Sequence, residues 1–200
     1  VASEVRKVFK TATKKLSKIG LDISDDIPDF SGVLDAFKTL RGVLMASMLG
    51  DLVKTHKDSI LEDIRKNVQV GFDAKSLDII KAEKIRRKLI INMENFFKKH
   101  DFLICPSASV PPFSVDKPFV TEIDGHECET YIDWFSITFA ITMTSCPTLC
   151  IPCGFTEKGL PIGIQVVAAP RHEAKLINFG HKLQTIFGIS NKLPISPRTF

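Results

Sequence analysis

The sequence predicts an α/β layered fold from three observations. Helical periodicity runs through most of the first hundred residues, a compact apolar run follows at residues 102–105, and two β-type runs bracket a turn tetrad ahead of a closing helix. The first element is an amphipathic helix, because Val5, Val8, Phe9, Ala12, Leu16 and Ile19 recur at three- and four-residue spacing and Gly20 stands where a helix stops. Residues 21–27 read as a short extended segment. Ser31 is placed to cap a second helix that runs through Phe37, Leu40, Leu44 and Met48 to Gly50. A shorter helix over residues 60–70 ends at Gly71, and Ser76 is placed to cap a long helix through Ile80, Ile85, Leu89, Met93 and Phe97.

The character changes at His100. Residues 102–105 have the length and apolarity of a buried strand, and Pro106, Pro111, Pro112 and Pro118 forbid regular structure beyond it. A further helix is expected over residues 130–144. Residues 149–155 and 161–167 flank Thr156, Glu157, Lys158 and Gly159, which marks a hairpin, and residues 171–187 close with a helix on Ala174, Ile177, Leu183 and Ile186. There is no internal repeat and no interdomain linker, so residues 1–200 read as part of one domain.

Composition narrows the function classes. The 200 residues are 44% hydrophobic and 25% charged, ordinary for a globular chain large enough to bury a core. The longest apolar stretch, residues 135–143, is broken by Ser and Thr and falls short of the ~20 residues of a membrane span. No secretory leader pattern opens the sequence, and five cysteines, three of them between Cys146 and Cys153, suit free thiols in a reducing compartment; the expected location is cytoplasmic. The net charge of +4 is spread along helices among acidic residues, without a nucleic-acid-binding module, so no nucleic-acid partner is expected.

Two constellations invite a chemical reading. Cys146, Cys150 and Cys153 have the spacing of an iron–sulfur loop, but Leu149, Ile151, Pro147 and Pro152 interleave them in a strand-like run, and buried structural cysteines are the preferred reading. His56, His100, His126, His172 and His181 are scattered, with no pair at metal-ligand spacing on one helix, so neither a metal nor a cofactor is expected. A phosphate-binding Gly-rich loop and a G-x-S-x-G elbow are both missing from the sequence.

The last hundred residues carry an ordered set of motifs. FLICP at residues 102–106 precedes VPPF at 110–113; YIDW at 131–134, TSCP at 144–147, IPCGF at 151–155 and GLPIGIQ at 159–165 come after it. In order and spacing this set resembles the C-terminal run of amidase-signature hydrolases, and the likeness extends upstream through residues 83–97 and the first helix. The resemblance implies a mixed sheet sandwiched between helices, of which only the C-terminal part is present. Val1 stands inside a helical pattern, and the chain is expected to be the C-terminal segment of a single amidase domain whose catalytic N-terminal half lies outside it.

In that family a serine, activated by a lysine through a second serine, cleaves amides, and backbone amides of a Gly/Ser-rich loop hold the oxyanion. This sequence has no Gly-Gly-Ser-Ser stretch, so no catalytic residue is assigned here and the segment alone is expected to be inactive. As a full-length protein it is expected to hydrolyse linear amides, its partners being a small-molecule amide and the missing half. Tyr131, Trp134 and Phe135 are the candidate substrate-binding residues, an aromatic cluster beside a Pro-rich loop, with core packing as the alternative. Gly154, Gly159 and Gly163 fit backbone positions needing positive dihedrals or close approach, Pro152 and Pro161 punctuate strands, and Gln165 satisfies buried backbone.

Two other readings stand beside this one: a non-catalytic binding or structural domain with an amidase-like fold, and the subunit of a tRNA-dependent amidotransferase. The latter handles a zwitterion and needs a fixed anion and cation. Aligned without gaps, its acidic position falls on Phe135, with Asp133 offset by two, and its basic position on Asn67 or Lys66; this demotes the amidotransferase reading in favour of a neutral amide. A further departure is Ser145, where the family usually has Gly.

Overall fold

The computed structural model describes residues 1–188, as six α-helices and five strands in two compact units. The first comprises residues 1–27, 100–138 and the stretch from 146 onward; the second comprises residues 28–99 with 139–145.

The first unit is built on a three-stranded sheet ordered β1-β5-β4, with β1 (Leu103–Pro106), β4 (Thr148–Phe155) and β5 (Pro161–Val167) paired antiparallel. Parallel pairing is absent among the described residues. The β4–β5 hairpin turns where the sequence places it: Thr156 N–H donates to the Leu160 carbonyl, Gly159 N–H to the Thr156 carbonyl, and Gly159 takes φ +79°. Pro152 lies at a register shift in the edge strand and Pro161 begins β5, the two places where a missing N–H does no harm to a ladder.

α1 (Ser3–Lys18) and α6 (Glu173–Phe187) pack on one sheet face, where Ile162, Ile164 and Val166 meet Val5, Ala12 and Leu16 of α1 and Leu176, Leu183 and Phe187 of α6. α1 ends as its sequence dictates. Leu21 N–H returns to the Leu16 carbonyl and Gly20 N–H to that of Ser17, with Gly20 at φ +90°, the paired bonds of a left-handed helix stop. The segment after it, expected to be extended, forms no strand and pairs with neither open edge of the sheet, that of β1 or that of β4. A small hairpin of β2 (Glu122–Ile123) and β3 (His126–Glu127) decorates the long loop after β1.

The second unit is helical. α2 (Val33–Thr55) runs beyond the expected stop at Gly50, α3 (Glu62–Asp73) and α4 (Ser76–Phe96) come next, and α5 (Ser136–Thr142) brings residues 139–145 into it. Ser31 does not cap α2: Gly32 occupies that position at φ +77°, while the Ser31 N–H and hydroxyl both donate to the Asp29 carboxylate. Ser76 is likewise the first helical residue, and Asp78 reaches back to accept the Lys75 N–H at 3.1 Å. Glycine permits the α2–α3 approach: a Cβ on Gly71 would lie 2.0 Å from the Gly42 carbonyl oxygen and 2.6 Å from the Ala46 methyl. Of the helix expected over residues 130–144 only its middle is helical, a 3-10 turn (Asp133–Phe135) leading into α5, because Asp133 accepts the Thr130 N–H at 2.7 Å and closes a separate turn.

Candidate functional site

β1 ends at Pro106 and delivers the Pro-rich loop to the start of β5. The Ser107 N–H donates to the Gly163 carbonyl at 3.0 Å, continuing the ladder one residue past the strand, and the Ser107 carbonyl accepts the Thr138 hydroxyl at 3.3 Å. The prolines then prevent the chain from tracking β5 any further. A cleft of about 300 Å³ results, bounded by residues 107–108 and 110–113, Trp134 and residues 161–163.

Of the three sequence-predicted site residues, Trp134 lines this cleft. Its ring meets Phe113 edge to face at 5.4 Å on one side and Phe135 at 5.3 Å on the other. Phe135 thus backs the Trp134 ring and does not itself line the cleft, and Tyr131 stands half-buried in the turn before it. Sequence reading missed the loop side: Ser107, Phe113 and Gly163 belong to the cleft, and the signal for them was the Pro-rich motif itself, whose kink exposes the residues just past a buried strand.

On the sheet face opposite α1 and α6, Cys105, Gln165 and Cys150 stand in register across the three strands. The buried Gln165 amide donates to the Pro106 carbonyl at 3.2 Å, which is the backbone-satisfying role its sequence position suggested. Burial, assisted by Cys150, pushes the Cys105 thiol up to about 12, and burial holds Cys153 at about 11. Both are protonated at neutral pH and non-nucleophilic. Cys150 and Cys153 differ in environment, exposed against buried, and among the described residues no three His, Cys, Asp or Glu side chains gather as a metal-binding group.

Gly163 and Gly154 are close-approach positions as expected: a Cβ would lie 2.7 Å from Ser107 Oγ in the first case and 2.8 Å from a Val8 methyl in the second. Ser145, the departure from the family pattern, has φ +59°, a conformation that glycine adopts freely, and its hydroxyl accepts from Arg86 at 3.3 Å.

Residues 1–177 match the family model described as Amidase. Among curated proteins, the chain is 24% identical over 134 residues to the A subunit of glutamyl-tRNA(Gln) amidotransferase from Thermodesulfovibrio yellowstonii, covering 64% of this chain and 26% of that one. It is 26% identical over 171 residues to the corresponding protein of Neisseria meningitidis, covering 82% and 33%. Among solved structures it is similar to a crystal structure of an amidase, with TM-score 0.84, 22% identity and coverage of 92% of this chain and 42% of the other. A bacterial aryl acylamidase of the amidase-signature enzymes matches with TM-score 0.77, 18% identity and coverage of 98% and 44%. The chain therefore spans between a quarter and a half of the length of these proteins.

Proposed function

Since the chain belongs to the amidase family, we propose that residues 1–200 are the C-terminal portion of a single amidase domain that hydrolyses the carbon–nitrogen bond of linear, neutral amides. The portion contributes sheet and one wall of the substrate pocket, with Trp134 in that wall, Phe135 behind it and Tyr131 in the adjoining turn. Hydrolysis proceeds by the serine–serine–lysine acyl transfer implied by the family resemblance. Its nucleophile and oxyanion loop come from the part of the enzyme that this sequence does not contain, so the segment alone is inactive. Five free thiols suit a cytoplasmic protein, and no helix among the described residues is long and apolar enough to cross a membrane.

The observation that carries this reading is the uncharged, aromatic-walled cleft where the Pro-rich loop leaves the sheet. The groups that would serve a zwitterionic substrate are engaged locally instead. Asp133 closes its own turn, Lys66 pairs with Glu62 at 2.8 Å, and Asn67 bonds to the Asp63 carbonyl at 2.7 Å while accepting from Arg41. Phe135 packs on Trp134. These contacts favour a neutral amide over an amidotransferase-type substrate.

The test compares the longer protein containing this segment with the segment expressed alone, on simple aliphatic and aromatic amides. Hydrolysis by the longer protein and none by the segment is the expected result. Turnover by the 200 residues alone, or a native species of 22.3 kDa with no longer form, would overturn the reading.

A further inference from the structure

We infer that the cleft beside the Pro-rich loop is a specificity subsite for a neutral, ring-sized apolar group of the substrate, with the Ser107 hydroxyl as a directional contact; this deepens the amidase reading above and rests on it. The walls are Pro111, Pro112 and Phe113 on one side and Trp134 on the other, and Phe113 and Trp134 meet at an interplanar angle of 89°, forming a rigid corner. None of the residues lining the cleft is ionisable. A carboxylate or ammonium entering would lose hydration without meeting a counter-charge, whereas an aryl or branched alkyl group loses nothing and buries its surface. At about 300 Å³ the space lies at the lower end of small-molecule sites, suited to one ring and its substituent rather than to a long chain.

Ser107 supplies direction. Its backbone N–H and carbonyl are both committed, to Gly163 and Thr138, while its hydroxyl has no partner among the described residues and lines the cleft. The floor beneath it stays open because residue 163 is glycine; a methyl there would stand 2.7 Å from the Ser107 oxygen. The hydroxyl can therefore donate to, or accept from, a single polar atom on an otherwise apolar group, such as an amide oxygen attached to a ring.

Trp134 is the sole tryptophan of these 200 residues, and its emission in the longer protein is the part that Trp134→Phe removes. The longer protein containing this segment is titrated with benzamide, with toluene as the ring lacking a polar atom, and with glutamine as the zwitterion. A saturable emission change is expected with benzamide and toluene and none with glutamine. Ser107→Ala should weaken benzamide about fivefold, the scale of one hydrogen bond, and leave toluene unchanged. Phe113→Ala, on an exposed loop where folding is not at stake, should weaken both. An equal response to glutamine, or equal weakening of both ring ligands by Ser107→Ala, would overturn the subsite. A longer protein that hydrolyses neutral and carboxylate-bearing amides equally well would also overturn it, together with the preference for neutral amides, while leaving amide hydrolysis itself standing. Selective benzamide binding in a protein without hydrolytic activity would overturn the amidase reading and leave the subsite.

Discussion

The two units of this chain reach compactness by different means. In the sheet unit, large aliphatic side chains carry the packing: Leu16, Ile164, Val166 and Leu183 are essentially fully buried, and strand alternation directs those of the sheet onto the face that α1 and α6 cover. In the helical unit the residues at closest approach are small, with Gly42, Ala46 and Gly71 letting α2 and α3 touch through backbone, while Leu44, Met48, Leu52 and Phe72 remain substantially exposed. Each buried aliphatic contributes roughly 1.5–3 kcal/mol of transfer free energy, so the first arrangement draws on burial. The second also buries Val33, Val68, Leu89 and Met93 almost completely, and adds between α2 and α3 a backbone approach that is intolerant of a single added methyl. Both units bury large apolar side chains, and the difference between them is one of side-chain size at the α2–α3 contact.

Four substitutions probe this contrast. The largest effect is expected from Leu183→Ala, which leaves a cavity at a site with no exposure and should cost about 3–4 kcal/mol, read as an earlier urea transition in Trp134 emission, which reports the sheet unit. Gly71→Ala should cost about 2–3 kcal/mol, because the Gly42 carbonyl cannot move away from the new methyl without disturbing α2. If the units differ as described, this loss shows in the far-ultraviolet dichroism of the helices with a smaller change in Trp134 emission. Equal shifts in both probes would show that the two units unfold as one.

Ser145→Gly should stabilise by about 0.5–1 kcal/mol, since a left-handed backbone costs serine but not glycine, with the loss of the Arg86 bond taking back part of the gain. A loss of stability on thermal unfolding would mean that the Arg86 contact outweighs the backbone cost. The smallest effect concerns Asp29, whose carboxylate accepts the Ser31 hydroxyl and N–H and the Lys88 ammonium, contacts that hold it well below the usual carboxylate range. Its folded value is depressed, so its stabilising contribution is fully present above the ordinary carboxylate value near 4 and is lost as pH falls below it. Asp29→Asn should therefore flatten the acid limb of helical stability by removing that contribution at neutral pH while leaving the low-pH value little changed; an unaltered acid limb would assign that pH dependence elsewhere.

Much of the fold was legible in local pattern. The α1 periodicity, the Gly20 stop and the Thr156–Gly159 turn rest on interactions within a few residues of one another, where side-chain spacing and turn chemistry suffice, and the strand read at residues 102–105 shows in its apolar run although its partner β5 is distant. The expectations that differed involve competition between near neighbours or pairing that local pattern does not specify: Asp29 captures the Ser31 groups that would otherwise cap α2, and residues 21–27 have an extended reading but join neither open edge of the sheet. Of the candidate site, Trp134 was visible as an aromatic next to a Pro-rich loop. Ser107, Phe113 and Gly163 were not, because Gly163 is more than fifty residues from Ser107 in sequence and only the β1–β5 register brings them together.

By itself the sequence determined the family, the order of the main helices and strands and the stops at Gly20 and Gly159, because these are written in short-range spacing and in an ordered set of motifs. Only the tertiary structure decided which aromatic of the Tyr131, Trp134 and Phe135 group faces open space, and that the cleft contains no charge. Both depend on where antiparallel pairing places Pro106 against Ile164 and on the proline kink just beyond it, a relation between distant segments that no local pattern encodes.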